Sequence, residues 1–156
     1  MTDTTLTISR VIKAPPALVW GAWADPARLA LWWLPAYYLC RVLALDIKPG
    51  GAFRTEMRED GADWQPHLDA CFLETVPGER LVFTTALHAG WQPADNPFIS
   101  ISAIITLTAH PEGTDYRAVV LHQNPDARAK HEELGFFEGW GRCIGQLAVL
   151  AEGRVQ

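Results

Sequence analysis

The chain has 156 residues, of which 49% are hydrophobic and 20% are charged, and its formal net charge at pH 7 is -5. This length and composition are typical of a single folded domain with a sizeable core, here spanning 1–156. Because Lys and Arg are scattered singly in a net negative chain, we expect neither nucleic acid nor a membrane surface as a partner.

The first half of the chain predicts a strand, two short helices and a hairpin. Alternating apolar residues form the first strand, which consecutive prolines end. Asp25 is placed to cap the second helix, whose first position is Pro26. A turn containing Gly50 and Gly51 joins the hairpin strands. The predicted elements are a strand over 4–13, helices over 16–24 and 26–33, and strands over 39–47 and 52–58.

The second half predicts four more strands and one long terminal helix. Turns rich in Pro and Gly separate the strands, and the segment 89–97 has two prolines and no periodicity, so we expect a loop there. In the last segment apolar residues recur at steps of three and four, which is helical spacing, beginning at Phe137 and continuing through Ile144. The predicted elements are strands over 64–75, 80–88, 98–109 and 114–123, and one helix over about 127–153.

The order of these elements predicts an α+β fold. Six consecutive antiparallel strands leave a sheet with one apolar face, and the long terminal helix has to cover that face. The helices are segregated from a single antiparallel sheet, which defines the α+β class.

Four segments carry a resemblance to a known family. They are SRVIKAPPALVWGAWADPARLALWW, LDIKPGGAFRTEM, FLETVPGERLVFT, and GTDYRAVVLH followed by HEELGFFEGWGRCIGQLAVLA. In this order they are similar to the START-like (SRPBCC, Bet v-like) helix-grip superfamily, in particular to the group named after the activator of the heat-shock-protein-90 ATPase. The resemblance implies a seven-stranded antiparallel sheet curled around the long helix, with an apolar cavity between them.

The resemblance implies a fold and leaves the reaction open. The superfamily holds lipid carriers, hormone receptors, polyketide cyclases and co-chaperone domains on one scaffold. We expect a non-enzymatic module that binds a small apolar or aromatic molecule in the cavity. The alternatives are a polyketide cyclase or dehydratase-like enzyme and a stress-response, co-chaperone-like interaction domain. A homodimer stays open, as does a chaperone partner, which rests on family analogy alone.

An unusual number of aromatic residues predicts the walls of a pocket. The chain has 7 tryptophans, a residue that is seldom fully buried and that often lines binding sites. For each residue taken alone, packing in the core is the alternative. The ligand-binding candidates are Trp33, Tyr37, Tyr38, Phe53, Phe72, Phe83, His88, Trp91, Phe98, His122, Phe136 and Trp140.

Polar candidates for the same pocket include several histidines, which exchange protons near neutral pH. The sequence has no GxSxG and no glycine-rich phosphate loop, and HEELG lacks the second histidine of HExxH because Gly135 stands in its place. No zinc pattern is present, so we assign no catalytic residue, metal or cofactor. The polar candidates are His67, His88, His122, Arg41, Glu56 and Tyr116.

The loop over 89–97 is the predicted moving part. It is longer than a hairpin requires and carries Trp91 on a polar background, so we interpret it as a lid over the cavity, with an ordinary surface loop as the alternative. The substitution Trp91→Ala is then expected to weaken ligand binding and to leave folding intact.

The cysteines and the N-terminal segment predict a cytoplasmic protein. Cys40, Cys71 and Cys143 are far apart and have no CxxC spacing, so we expect reduced thiols packed as small apolar groups. The first residues, MTDTTLTISR, are polar where a signal peptide is basic and then apolar. No apolar run is long enough to cross a bilayer.

Overall fold

The structure is a computed structural model that describes residues 3–95 and 100–153. The strands within these residues are β1 (Thr5–Ile12), β2 (Leu39–Leu45), β3 (Ala52–Arg58), β4 (Gln65–Val76), β5 (Arg80–Thr84), β6 (Leu87–His88), β7 (Gln92–Pro93), β8 (Ile101–His110) and β9 (Gly113–His122). The helices are α1 (Pro16–Ala24), α2 (Pro26–Leu29), α3 (Pro125–Glu133) and α4 (Phe136–Ala151).

Seven of these strands form one antiparallel sheet in the order β1-β9-β8-β5-β4-β3-β2. The first strand pairs with the last, which places Thr5 opposite Leu121. The register shifts within the β2–β3, β3–β4 and β4–β5 pairs, and such irregularities bend a sheet. The predicted α+β helix-grip fold is therefore confirmed. The short strands β6 and β7 form a separate hairpin, which the sequence did not predict.

The second helix is shorter than predicted. Asp25 caps it as expected, because its side chain accepts a hydrogen bond from the backbone N–H of Ala27 at 3.0 Å. The helix ends at Leu29, and residues 30–34 continue as turns. The side-chain amide of Gln146 on α4 donates to the carbonyl oxygens of Trp32 and Leu34 at 3.3 and 2.8 Å. These carbonyl oxygens therefore accept hydrogen bonds from a side chain of α4 and not from the backbone of a further helical turn.

The terminal helix is divided, which corrects the prediction of one continuous helix over 127–153. Gly135 has φ +101°, a left-handed conformation that ends helices and that glycine adopts most readily. In the first turn of α4, after the break, Phe136 is buried while Phe137 is 42% exposed. The 16 residues of α4 give it a length of about 24 Å.

The core lies between the inner face of the sheet and the helices α1 and α4. Trp23 is fully buried and its ring lies 5.2 Å from Trp32 and 5.8 Å from Phe53. Its indole N–H donates to the hydroxyl of Tyr116 at 2.9 Å. Where α4 crosses β1, a Cβ atom on Gly141 would lie 3.6 Å from Ile8 Cδ1, so glycine allows close packing there. Among residues 3–95 and 100–153, none of the helices has the length and apolar character that crossing a membrane requires.

Candidate functional site

A cavity of about 740 Å³ lies between the sheet and the N-terminal half of α4. Binding pockets for small molecules have volumes of roughly 300–1,000 Å³. The apolar part of its wall includes Trp33, Phe83 and Ile101, and α4 contributes Trp140 and Ile144. Trp33 lies 6.2 Å from Phe83 and 6.4 Å from Trp140 between ring centroids. Aromatic rings therefore form part of the apolar wall.

Polar side chains gather at one end of this cavity. Antiparallel pairing brings the end of β3, the start of β4 and the end of β5 together, and it brings the start of β8 against the end of β9. Six of the polar residues that line this end of the cavity, one of them from α3, are here called the polar rim. The polar rim consists of Thr55, His67, Asp69, Thr85, His88 and His131.

His67 is a neutral member of the polar rim. Its Nδ1 atom lies 2.9 Å from the hydroxyl oxygen of Thr55, which is 2% exposed. The ring keeps accessible surface, but the protein packed around it removes hydration and lowers its pKa to about 4. Because burial disfavours the charged form, His67 presents an uncharged imidazole to the cavity near neutral pH.

Two side chains approach the same carboxylate oxygen at the cavity. Oδ2 of Asp69 lies 3.2 Å from Nδ1 of His88 and 3.7 Å from Nε of Arg54. All three side chains are about half exposed, and exposed ion pairs contribute roughly 0–1 kcal/mol to stability. The main consequence is geometric: Asp69 orients the His88 ring at the cavity, where it can exchange a proton or form a hydrogen bond.

His131 belongs to a pair of histidines. Its Nδ1 atom lies 2.8 Å from Nε2 of His122, whose Nδ1 lies 2.8 Å from the carbonyl oxygen of Thr4. Burial, and secondarily the neighbouring His122, lowers the pKa of His131 to about 4. The pair connects α3 to the end of β9 and to the residue before β1.

The inner part of the cavity holds polar atoms that do not ionise near neutral pH. Burial raises the pKa of Tyr116 above its ordinary range and that of Cys143 to about 12. The Cys143 Sγ atom lies 3.5 Å from the carbonyl oxygen of Trp33. Burial also raises the pKa of Cys40 to about 11. All three cysteines are free. The thiols of Cys40 and Cys143 stay protonated near neutral pH.

The structure distributes the sequence candidates over several environments. Trp33, Phe83, His88 and Trp140 line the cavity. Phe53, Phe72 and Phe136 are buried in the core, and His122 is buried behind His131. Tyr37 and Tyr38 pack on each other beside Arg142, and Trp91 is 50% exposed. Phe98 lies outside the described residues.

Of the further polar candidates, His67, Glu56 and Tyr116 also line the cavity. Arg41 instead forms an ion pair with Glu56 on the neighbouring strand. Its guanidinium lies 4.4 Å from the ring of Trp64.

Sequence reasoning missed Thr55, Asp69, Thr85 and His131. A signal existed for two of them, because period-two alternation places Thr55 on the same face as Phe53 and Thr85 on the same face as Phe83. Nothing in the polar stretch around His131 distinguishes it from a solvated helix face. Within the described ranges, no group of three or more His, Cys, Asp or Glu side chains could hold a metal ion.

Comparisons with known proteins give a family and a fold. Residues 13–152 match the family model described as Activator of Hsp90 ATPase homolog 1-like protein. A crystal structure from Nitrosomonas europaea is 36% identical, with a TM-score of 0.86 over 96% of this chain and 95% of that one. A crystal structure from Chromobacterium violaceum is 30% identical, with a TM-score of 0.74 over 96% and 99%.

A more distant structure agrees in fold alone. The AHSA1-like protein from Aeromonas hydrophila is 17% identical, with a TM-score of 0.70 over 96% of this chain and 92% of that one. No curated protein sequence matches the chain.

Proposed function

We propose that this chain, which belongs to the family of Activator of Hsp90 ATPase homolog 1-like proteins, binds a small apolar or aromatic molecule in the cavity under α4. The observation that carries the proposal is a partly open pocket of about 740 Å³ that extends from half-exposed residues such as Asp69 to buried ones such as Phe83. A pocket of this size, with aromatic rings in its apolar wall, is typical of a binding site for a small molecule.

The wall indicates what kind of molecule fits. Trp33 and Trp140 approach each other edge to face, with an interplanar angle of 68°. Such rings offer both faces and edges for contact with a flat aromatic ligand. The polar rim supplies neutral hydrogen-bonding groups at one end, because His67 stays uncharged near neutral pH. We therefore expect an aromatic body with a polar group at the rim.

The direct experiment is native mass spectrometry of the purified protein, followed by denaturing extraction and identification of the released compound. A co-purifying apolar or aromatic compound in a ratio of one to one supports the proposal. Wild-type protein that releases nothing and also fails to bind 2-methoxynaphthalene in calorimetry contradicts it.

A second candidate, an enzyme that transfers protons on a bound compound, is favoured by one observation. His88 lines the cavity and its ring is oriented by Asp69 at 3.2 Å, an arrangement used by general acid–base catalysts. The same extraction separates the two candidates. Two released compounds that differ by one water molecule indicate a dehydration, whereas one compound that survives prolonged incubation unchanged indicates binding only.

A cavity-filling variant tests the location of the site. Gly139 lies in α4 and lines the cavity, and a Cβ atom added to it meets nothing within 4 Å. Gly139→Leu should therefore fill part of the cavity without straining the helix, and we expect the affinity for 2-methoxynaphthalene to fall about tenfold or more, which corresponds to ~1.4 kcal/mol.

Gly21→Leu is the matched control, because Gly21 lies in α1 and also has open space at its Cβ but does not line the cavity. It should keep the wild-type affinity. Equal affinity of Gly139→Leu and wild type would show that the ligand binds elsewhere.

A further inference from the structure

The hydrogen bonds of the two histidines determine which ring nitrogen carries each proton. The Nδ1 atom of His122 lies 2.8 Å from the carbonyl oxygen of Thr4. A carbonyl oxygen can only accept, so Nδ1 of His122 is the donor. In the neutral ring the other nitrogen, Nε2, then carries the lone pair and is an acceptor.

The same reasoning extends to His131. Nε2 of His122 lies 2.8 Å from Nδ1 of His131, so Nδ1 of His131 must supply the hydrogen between them. The Nε2 atom of a neutral His131 is consequently the unprotonated nitrogen. The chain of bonds therefore starts at a backbone carbonyl and ends at a free acceptor on the polar rim.

The surroundings favour the neutral state of His131. Burial of the ring, and secondarily the neighbouring His122, disfavours an imidazolium there. Among the described residues, no carboxylate lies within salt-bridge distance of either ring.

The free nitrogen of His131 is accessible and stands beside the aromatic wall. Within the described part of the chain Nε2 has no hydrogen-bond partner, and it is not among the buried atoms that lack one. The ring of His131 lies 5.1 Å from Phe136, which stacks on Trp140 at 5.3 Å. His131 and Trp140 both line the cavity, so an aromatic ligand packed against Trp140 would lie near an open acceptor.

We infer that Nε2 of His131 accepts a hydrogen bond from a hydroxyl group of the bound ligand, so that the site selects neutral, hydroxyl-bearing aromatic molecules. This inference rests on the proposed function. His122 is a positioning residue, because it holds His131 in the tautomer that accepts. A pKa of about 4 for His131 keeps that nitrogen unprotonated near neutral pH.

A pair of probes that differ in one hydrogen-bond donor tests the inference. The probes are 2-naphthol, which can donate, and 2-methoxynaphthalene, which cannot. We expect wild-type protein to bind 2-naphthol about two- to tenfold more tightly, the usual net effect of one hydrogen bond. His131→Phe keeps a ring of similar size and removes the acceptor. We therefore expect this variant to lose the preference for 2-naphthol over 2-methoxynaphthalene.

His110→Phe is the matched control, because His110 lies at the β8–β9 turn, where its Nδ1 accepts from the backbone N–H of Glu112, and it is outside the cavity lining. It should keep the wild-type ratio. Equal binding of the two probes by wild-type protein overturns the inference and leaves the proposed function standing. Failure of both probes to bind, together with the release of no compound on extraction, overturns the proposed function itself.

A measurement on the wild-type protein avoids any dependence on variant folding. In nitrogen-15 spectra of histidine-labelled protein, the His131 Nε2 resonance should have the position of an unprotonated nitrogen and should shift on addition of 2-naphthol. Addition of 2-methoxynaphthalene should leave it nearly in place. A protonated Nε2 in the free protein contradicts the tautomer assignment and with it the inference.

Discussion

Individual residues at the rim of the cavity combine polar chemistry with low charge. His67 is held by the hydroxyl of Thr55, and His131 is held by His122. Both rings lose hydration to the surrounding protein and both have a pKa of about 4. Because neither histidine carries a charge near neutral pH, these two side chains offer hydrogen bonds to an uncharged ligand. The charge at the rim comes from Asp69, which lies beside His88 and Arg54.

These shifts predict an acid-dependent loss of stability. The pKa of each histidine has its ordinary value of 6.5 in the unfolded chain and is about 4 in the folded protein. Between these values the unfolded chain binds more protons, so the free energy of unfolding should fall as the pH is lowered from about 6.5 to about 4. Below about pH 4 both states are protonated, and this contribution stops changing.

Urea unfolding at several pH values across this window measures the effect. Carboxylates add their own dependence at the acidic end, so wild type is compared with His131→Phe and His67→Phe, which retain those carboxylates. Each variant should show a shallower fall than wild type. If the free energy of unfolding of a variant falls with pH as steeply as that of wild type, the pKa of the substituted histidine is not lowered in the folded state.

At the scale of elements, the break between α3 and α4 is the feature that shapes the site. Gly135 ends α3 with φ +101° and allows α4 to start at Phe136. None of the residues of α3 is fully buried, yet α3 carries His131 to the cavity. The helix is held by its cap at Asn124, by Arg128 and by the histidine pair.

Substitution of Gly135 tests how much the break depends on glycine. A Cβ atom at this position would meet only Glu138 Oε2, at 3.7 Å, so the cost of Gly135→Ala is the left-handed backbone itself. We expect the free energy of unfolding to fall by about 1–2 kcal/mol, measured by urea denaturation.

Gly21→Ala should have the opposite effect on the free energy of unfolding. Gly21 lies inside α1 with open space at its Cβ, so alanine should raise stability by about 0.5–1 kcal/mol. An equal effect of both substitutions would indicate that residue 135 does not keep its left-handed conformation in solution.

At the scale of the whole molecule, the β6–β7 hairpin links a distant turn to the cavity. The N–H of Gly90 donates to the carbonyl oxygen of Gly50 at 2.8 Å. The indole of Trp91 packs on Gly50 so closely that a Cβ atom there would lie 2.8 Å from Nε1. The hairpin continues into Ala94 and Asp95, which line the cavity. Trp91 thus lies outside the cavity wall and fastens the segment that forms part of it.

A substitution at Trp91 tests whether the hairpin acts as a lid over the cavity. Trp91→Ala should loosen the hairpin and weaken binding of 2-methoxynaphthalene severalfold, while the melting temperature stays near wild type because the side chain is 50% exposed. Trp64→Ala is the matched control, since Trp64 stacks with Arg41 and Arg58 away from the cavity lining. Unchanged affinity in Trp91→Ala would exclude the hairpin as a lid.

Much of the architecture followed from local patterns. The helix over Pro16–Ala24 and the strand over Ala52–Arg58 have the predicted bounds, because prolines, glycines and period-two alternation act within a few residues. In α4 the predicted apolar positions Ile144, Leu147 and Ala151 are buried, and only the first predicted position, Phe137, is exposed. Helical spacing alone cannot show that the chain turns left-handed at Gly135, shortly before this position.

The sequence by itself determined the order of most elements along the chain, the α+β class and the family resemblance, because these depend on patterns and motifs that neighbouring residues carry. Only the tertiary structure decided which aromatic residues face the cavity. Phe53 and Phe83 point to the same side of the sheet, yet Phe53 is packed in the core and Phe83 borders the open space. The polar rim likewise joins residues of β3, β4 and α3 that are far apart in sequence, and its chemistry exists only because the sheet curls around a helix that starts at Phe136.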